Sequence, residues 1–469
     1  VTIAPHQPDA LPRTLGELRA SGHEQRTVKV ELRENLLARM RAGAPRFEGI
    51  VGFDDTVLPE VERALLAGHD MVLLGERGQG KTRLIRSLVA LLDEWTPVIE
   101  GSELNEHPYQ PLTPASRRRA DELGDDLPVG WLHRTLRYGE KLATPDTSVG
   151  DLIGDVDPVR VAQGRTLGDP ETIHFGLVPR TNRGIFAVNE LPDLAERIQV
   201  ALLNVLEERD IQVRGYQLRL PLDLLLVASA NPEDYTNRGR IITPLKDRFG
   251  AEIRTHYPLD LDVELDLVRQ EARLCATVPQ HVLEIVARFA RAVRDSPAVD
   301  SRSGVSARFA VAAAETVAAS ALRRATILSE VEPVARVGDT ESVVGTLRGK
   351  VEFESGQEGR ETEVLAHLLR TAVAETFRAH LSGLDLSAFV NLVAAGESVE
   401  TGELVSAAEV LQQVGGVAGL AKVLDRLGMG EAPTPGEAAA GVELVLEGLH
   451  LTRRLAKDTT DDGRTVYGG

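Results

Sequence analysis

Apolar and polar positions follow two rhythms along this chain, and each predicts a different element. Residues 71–74 (Met-Val-Leu-Leu), 184–188 (Gly-Ile-Phe-Ala-Val) and 224–228 (Leu-Leu-Leu-Val-Ala) are short unbroken apolar runs. Such runs predict strands buried on both faces. Between them the spacing changes. Leu84, Ile85, Leu88 and Val89 recur at helical intervals, as do Ile198, Ala201, Leu202, Val205 and Leu206. Buried strands with helices between them predict a mainly parallel sheet sandwiched by helices, an α/β fold. Earlier, Val30, Leu32, Leu36, Leu37 and Met40 mark one side of a helix, and another helix is predicted over about 56–67. A strand is expected at 97–100, and residues 211–213 and 217–220 alternate around Gly215 as a β-hairpin.

Other stretches lack either rhythm. Residues 129–183 hold short β-like pieces rich in Gly, Pro and Asp, the texture of an inserted hairpin or loop system outside the core. After Pro258 the pattern turns helical, at about 260–275, 279–294, 306–324, 361–381 and 385–455. Residues 333–362 carry Gly, Val and charge without helical period, as a linker or small β excursion would. The polar residues 457–469 are expected to be disordered. The resulting division is an arm (1–48), an α/β domain (49–258), a helical lid (259–330) and a linker with a mostly helical region (331–469).

Composition narrows the function classes. The chain has 469 residues, 42% of them apolar, and no apolar run long enough to span a membrane. Its first residues have neither a basic start nor an apolar core, so no signal peptide is expected. A formal charge of −18 argues against a broad nucleic-acid footprint, and Arg117-Arg118-Arg119 is expected to be a solvated helix face. The single Cys275 excludes an intramolecular disulfide and points to a cytoplasmic setting. With Leu274, Ala276 and Val278 around it, the thiol is expected to be buried. None of the 11 His falls in a zinc-binding pattern.

The chemistry begins where the first strand ends. Gly75-Glu76-Arg77-Gly78-Gln79-Gly80-Lys81-Thr82 lies between that strand and a helix, the context of a P-loop. Gly75, Gly78 and Gly80 let the backbone N–H groups turn toward phosphate, Lys81 reaches the β- and γ-phosphates, and Thr82 can ligate Mg²⁺. Gln79 and Arg83 complete the expected nucleotide-binding set. Hydrolysis needs more. The strand 185–188 runs into Asn189-Glu190, placing Glu190 as the carboxylate that orients and deprotonates water, with Asn189 at the metal's water shell. The strand 224–228 leads to Ser229-Ala230-Asn231-Pro232, where Asn231 can sense the γ-phosphate. Leu245-Lys246-Asp247-Arg248-Phe249-Gly250 carries an arginine suited to a neighbour's site. Arg308 lies in the first turn of a helix, where the helix dipole gives no reason for a cation.

The order of these motifs resembles the AAA+ ATPases, and within them the magnesium chelatase ATPase subunit and its MoxR relatives. The likeness also rests on residues 126–129, 147–157 and 176–185, and on Leu203-Asn204-Val205-Leu206-Glu207-Glu208-Arg209. It covers about residues 48–330. It implies a ring, commonly a hexamer, with ATP and Mg²⁺ at each subunit boundary. Lys81 and Thr82 would bind phosphate and metal, and Glu190 would be the base. Asn231 would be the first sensor, Arg248 the finger supplied in trans and Arg308 the second sensor. Segments 147–180 and 210–220 would be the insertions that remodel a protein client. That partner typically carries a von Willebrand A domain, and since no Asp-x-Ser-x-Ser occurs here, the domain would belong to a separate protein.

Two alternatives stand beside the chelatase-like motor: a MoxR-type chaperone, and a nucleotide-gated scaffold with little hydrolysis. A transcriptional activator is disfavoured, because the sigma-contacting Gly-Ala-Phe-Thr-Gly-Ala is absent. Asn189 departs from the family's Asp. If it holds the metal weakly through its carbonyl, Asn189→Asp should lower the Mg²⁺ requirement roughly tenfold. If its N–H is instead committed to Glu190 or a nearby backbone group, the same change would set two carboxylates side by side.

Overall fold

The computed structural model describes residues 8, 10–157, 159, 162, 172–207, 210–213, 216–232, 241–300, 304–394, 398–430, 432–460 and 464–468. They fall into two compact units, Val1–His256 and Tyr257–Gly469.

The strands of the first unit are β1 (Met71–Leu74), β2 (Trp95–Ile99), β3 (Val129–His133), β4 (Tyr138–Leu142), β5 (Gly154–Val156) and β6 (Ile173–Phe175). They continue with β7 (Gly184–Asn189), β8 (Asp210–Val213), β9 (Tyr216–Arg219), β10 (Leu224–Ala230) and β11 (Ala251–Arg254). Five of them build a sheet in the order β11-β1-β10-β7-β4, and every neighbouring pair is parallel. Every residue of β1, β7 and β10 is buried, as their unbroken apolar runs require. Alternate side chains enter two different cores. Val72, Leu74, Phe186, Val188, Leu226 and Ala228 pack on one face, with Ile198, Leu202 and Val205 of the helix Glu196–Glu207. Met71, Leu73, Ile185, Ala187, Leu225 and Val227 pack on the other, with residues of the helices Val28–Ala42 and Val57–Ala67. Strand periodicity of two thus makes a three-layer α/β/α unit.

The helix Val28–Ala42 is tied to the sheet by more than Leu32 and Leu36. Glu31 is buried on the same side and takes both arms of Arg137 at 2.6 Å, while Arg137 Nε donates to Arg183 O at 2.7 Å. Removing one member of such a buried pair costs about 3–5 kcal/mol.

The segment 129–183 departs from expectation. It was the texture of an insertion, yet it supplies β4, a full member of the central sheet. Ile153 and Val178 within it are also core residues. Polar positions flanked by Gly and Pro suit a sheet edge as well as they suit a loop. The strand expected near 97–100 exists as β2, but it pairs antiparallel with β3 outside the central sheet. The expected hairpin is β8–β9. Its Gly215, and Glu208 and Arg209 just before it, lie outside the described residues.

In the second unit, the helices Leu261–Glu271, Gln280–Arg294, Ala307–Leu328, Glu361–Leu381 and Pro435–Leu451 share one apolar core. The stretch expected as a linker contributes Ala335, Val337, Val343, Val344, Leu347 and Val351 to that core and forms the helix Ser342–Leu347. The tail expected to be disordered makes β13 (Ala456–Thr459) and β14 (Thr465–Gly468), which join β12 (Val399–Thr401) in the order β12-β14-β13. Tyr467 anchors it, buried with its hydroxyl bonded to Glu447. Cys275, expected to be buried, is exposed in the loop after Glu271.

Charged groups also lie within this unit. Arg324 donates to Glu330 Oε2 (2.6 Å), Asp339 Oδ2 (3.1 Å) and Val334 O (2.6 Å). Arg336 donates to Val405 O at 2.8 Å, and its Nη1 stands 3.3 Å from Glu443 Oε1. Burial, against the pull of Arg336, lifts the Glu443 carboxyl above its ordinary value.

Candidate functional site

Register brings the strand ends of the first unit together. Leu74 lies opposite Ala230, Ala228 opposite Val188, and Asn189 opposite Leu142. The loop after β1, the tip of β7 and the residue after β10 therefore share one edge, the carboxyl end where parallel sheets bind ligands.

The loop 75–80 turns through Gly78 (φ +75) and Gly80 (φ +77), backbone that favours glycine. At Gly75 a Cβ would collide with Thr255 and Gln79. Gln79 is buried and braces the loop, its Oε1 accepting from Glu76 N (3.1 Å) and Thr255 Oγ1 (2.8 Å). Arg83 is exposed on the following helix, beside Gly49. Lys81 is 7% exposed, and its ammonium donates to Gly75 O, to Glu76 O at 2.9 Å and to Asn231 Oδ1 at 2.8 Å. All three acceptors are neutral oxygens.

Asn231 joins two of the expected residues. Its Oδ1 receives Lys81 and its Nδ2 donates to Glu190 Oε2 at 2.8 Å. Glu190 sits in left-handed backbone (φ +55, ψ +49), unusual for a residue other than glycine and a mark of functional positions. Its N–H donates to Ser229 Oγ at 3.3 Å.

Asn189, also buried, has a partner that sequence reasoning missed. Its Oδ1 accepts from Thr82 Oγ1 (3.4 Å) and Ser229 Oγ (3.2 Å), whereas its Nδ2 donates to Glu140 Oε1 at 2.6 Å. The expected partners were Glu190 or backbone; the observed one is a carboxylate on β4. Arg86 grips Glu140 with Nε and Nη2 at 2.8 and 2.9 Å, and Tyr138 donates to it at 3.0 Å. Burial acts to raise the Glu140 carboxyl. The hydrogen bonds from Arg86, Tyr138 and Asn189 outweigh it and hold the group below its ordinary value. The signal available in sequence was Tyr138-Gly139-Glu140 with a central-sheet strand assigned there.

The structure thus brings Lys81, Thr82, Asn189, Glu190 and Asn231 into one hydrogen-bonded cluster. Arg248 ends the helix Thr243–Arg248 of the same unit and pairs with Glu207, both side chains partly exposed. Arg308 belongs to the second unit, exposed in the first turn of the helix Ala307–Leu328. Thr82 and Asn189 present two hard oxygens at one point, a donor set that fits a nucleotide-bound Mg²⁺. Among the described residues there is no cluster of three or more His, Cys, Asp or Glu able to hold a metal by itself.

Comparison with known proteins gives three results. The profile of the sigma-54 interaction domain matches residues 166–248, a span that includes Asn189, Glu190, Asn231 and Arg248. The magnesium-chelatase subunit ChlI of Oryza sativa subsp. indica is 29% identical over 234 residues, 48% of this chain and 52% of that protein. The magnesium-chelatase 38 kDa subunit of Rhodobacter capsulatus is 28% identical over 235 residues, 48% of this chain and 59% of that one. The chain therefore spans 52% and 59% of the length of these two relatives. Among solved structures, the complex between subunits BchI and BchD of magnesium chelatase is similar at 20% identity. It covers 66% of this chain and 97% of that one, with a TM-score of 0.35.

Proposed function

We propose that this chain, similar over about half its length to the magnesium chelatase ATPase subunits, is an AAA+ P-loop ATPase that hydrolyses ATP to remodel a protein partner. The observation that carries the reading is the single cluster of Lys81, Thr82, Asn189, Glu190 and Asn231 at the ends of three adjacent parallel strands.

Lys81 exchanges its neutral carbonyl acceptors for phosphate oxygens, and the turned backbone of 75–80 contributes N–H groups. Mg²⁺, when bound with the nucleotide, neutralises charge on the β- and γ-phosphates. Thr82 and Asn189 would hold it through their side-chain oxygens. Glu190 orients the attacking water and takes its proton, while Asn231 links the base to the phosphate-binding lysine. Arg248 is assigned to the neighbouring subunit's nucleotide in a ring, commonly of six, and Arg308 to the second sensor. The protein partner is a separate chain with a von Willebrand A domain. The chelatase-like and MoxR-type versions differ only in that partner's own client.

Two variants test this. Lys81→Ala should abolish ATP binding in calorimetry, whereas Glu190→Gln should bind ATP and turn it over at least about a hundredfold slower, as loss of a general base predicts. Equal ATP affinity in wild type and Lys81→Ala would sink the proposal.

A further inference from the structure

Asn189 raises a question of chemistry. Its side-chain oxygen and nitrogen are sterically alike, so the environment decides which of them faces Thr82 and the metal position. Glu140 makes that decision. An ionised carboxylate only accepts hydrogen bonds, and Glu140 Oε1 stands 2.6 Å from Asn189 Nδ2. Turning the amide over would set two acceptor oxygens against each other there and aim the NH₂ at Thr82. With Glu140 in place, Asn189 Oδ1 faces the hydroxyls of Thr82 and Ser229.

Glu140 is itself fixed from two sides. Arg86 holds both of its oxygens, and Arg86 lies four residues after Thr82, on the same side of the helix Lys81–Ser87. The helix that presents Thr82 to the metal therefore also presents the clamp for Glu140. Tyr138, two residues before Glu140 on the same face of β4, adds the third bond. P-loop helix, edge strand and β7 meet around one amide.

We infer that Glu140 is a positioning residue for the nucleotide-bound metal, acting through Asn189, and that residues 140 and 189 work as a matched carboxylate–amide pair. The inference rests on the nucleotide-site reading above. It reverses the effect expected of Asn189→Asp. That change meets Glu140 with a second acceptor-only group and turns the carboxylate away from Thr82. Exchanging the two groups, in Asn189→Asp with Glu140→Gln, restores a donor facing an acceptor and keeps an oxygen for Arg86 Nε and Tyr138, with only the Arg86 Nη2 bond to the former Oε1 lost.

The test is ATP affinity by calorimetry with and without Mg²⁺ in wild type, N189D, E140Q and the double variant. Thermal melting accompanies it, to confirm that each is folded. The quantity read is the ratio of the two affinities, which a general loss of packing does not change. In N189D the Mg²⁺ enhancement should fall roughly 10–100-fold, the usual effect of disturbing an outer-shell partner. E140Q should fall less, and the double variant should return to the wild-type ratio or exceed it. An N189D ratio equal to or above wild type, or a folded double variant no better than N189D, overturns the role of Glu140 alone. Equal ATP affinity in Lys81→Ala and wild type overturns the nucleotide site and this inference with it.

Discussion

Buried cations are held in two ways, and the first unit uses both: Arg137 faces the carboxylate of Glu31. There Lys81 instead rests on carbonyl oxygens of Gly75, Glu76 and Asn231. In the second, Arg324 faces Glu330 and Asp339, and Arg336 faces Glu443. Neutral acceptors satisfy a cation's hydrogen bonds without cancelling its charge, so an arriving anion can replace them without stranding a buried charge. A carboxylate partner cancels the charge, and leaving it would strand a buried anion. All these cations are buried; exchangeable dipolar acceptors suit a group that must meet a ligand, and a carboxylate partner suits one that fastens the fold.

The largest effect expected along this line concerns Arg248, whose pairing with Glu207 is partly exposed and worth about 0–1 kcal/mol to the fold. Arg248→Ala should melt close to wild type yet lose roughly 10³–10⁵ in ATPase rate, the value of a finger acting in trans. Mixing it with Glu190→Gln should recover activity at interfaces that pair both intact residues. No recovery in rings shown to be mixed removes the trans assignment.

The second unit should respond in the opposite sense. Arg336→Ala leaves Glu443 buried without its cation and should cost about 3–5 kcal/mol in denaturant unfolding. Replacing both, as Arg336→Met with Glu443→Leu, should regain most of that loss, because an apolar pair strands no charge. A single variant as stable as wild type would end the contrast drawn above.

The smallest effect tests a pair between the extremes. His380 Nε2 lies 2.7 Å from Glu284 Oε2, and both are partly exposed. The hydrogen bond that His380 donates to Glu284 outweighs burial and raises His380 above its ordinary 6.5. Its contribution is thus complete below pH 6.5 and lost as pH rises through the raised value. Burial opposes ionisation of Glu284, yet the bond to His380 brings it below its ordinary 4.5. That contribution is present above pH 4.5 and lost as pH falls through the lowered value. His380→Gln should therefore destabilise most between about pH 4.5 and 6.5, by less than about 1 kcal/mol after solvent screening. A stability difference independent of pH would refute the ion pair.

What could be read in advance follows from how each feature is written in the chain. The P-loop, Asn189-Glu190 and Asn231 are contiguous signals at the ends of apolar strands, and they identify themselves together with the parallel sheet. Glu140 and Asn189 are 49 positions apart and meet only because β4 pairs with β7. Assigning 129–183 to an insertion hid that pairing. The tail misled for a related reason: β13 and β14 are polar, and a single buried Tyr467 fixes them. The 333–362 stretch hides its small buried valines among glycines and charges. Cys275 has apolar neighbours in sequence, but the helix before it ends at Glu271, so the periodicity that would turn it inward has stopped.

The place of β4 in the sheet has a kinetic consequence. It is an end strand of the order, bonded among the described residues to β7 alone, whereas β7, β10 and β1 are bonded on both sides. Outer strands open more readily than interior ones, by local fluctuations that leave the rest folded. Each such opening carries Glu140 away and frees the Asn189 amide to rotate. The fastest-exchanging amides of the sheet should then be those of its two outer strands, 138–142 and 251–254. A contact that pins β4 would hold the metal end of the site in register without touching the nucleotide.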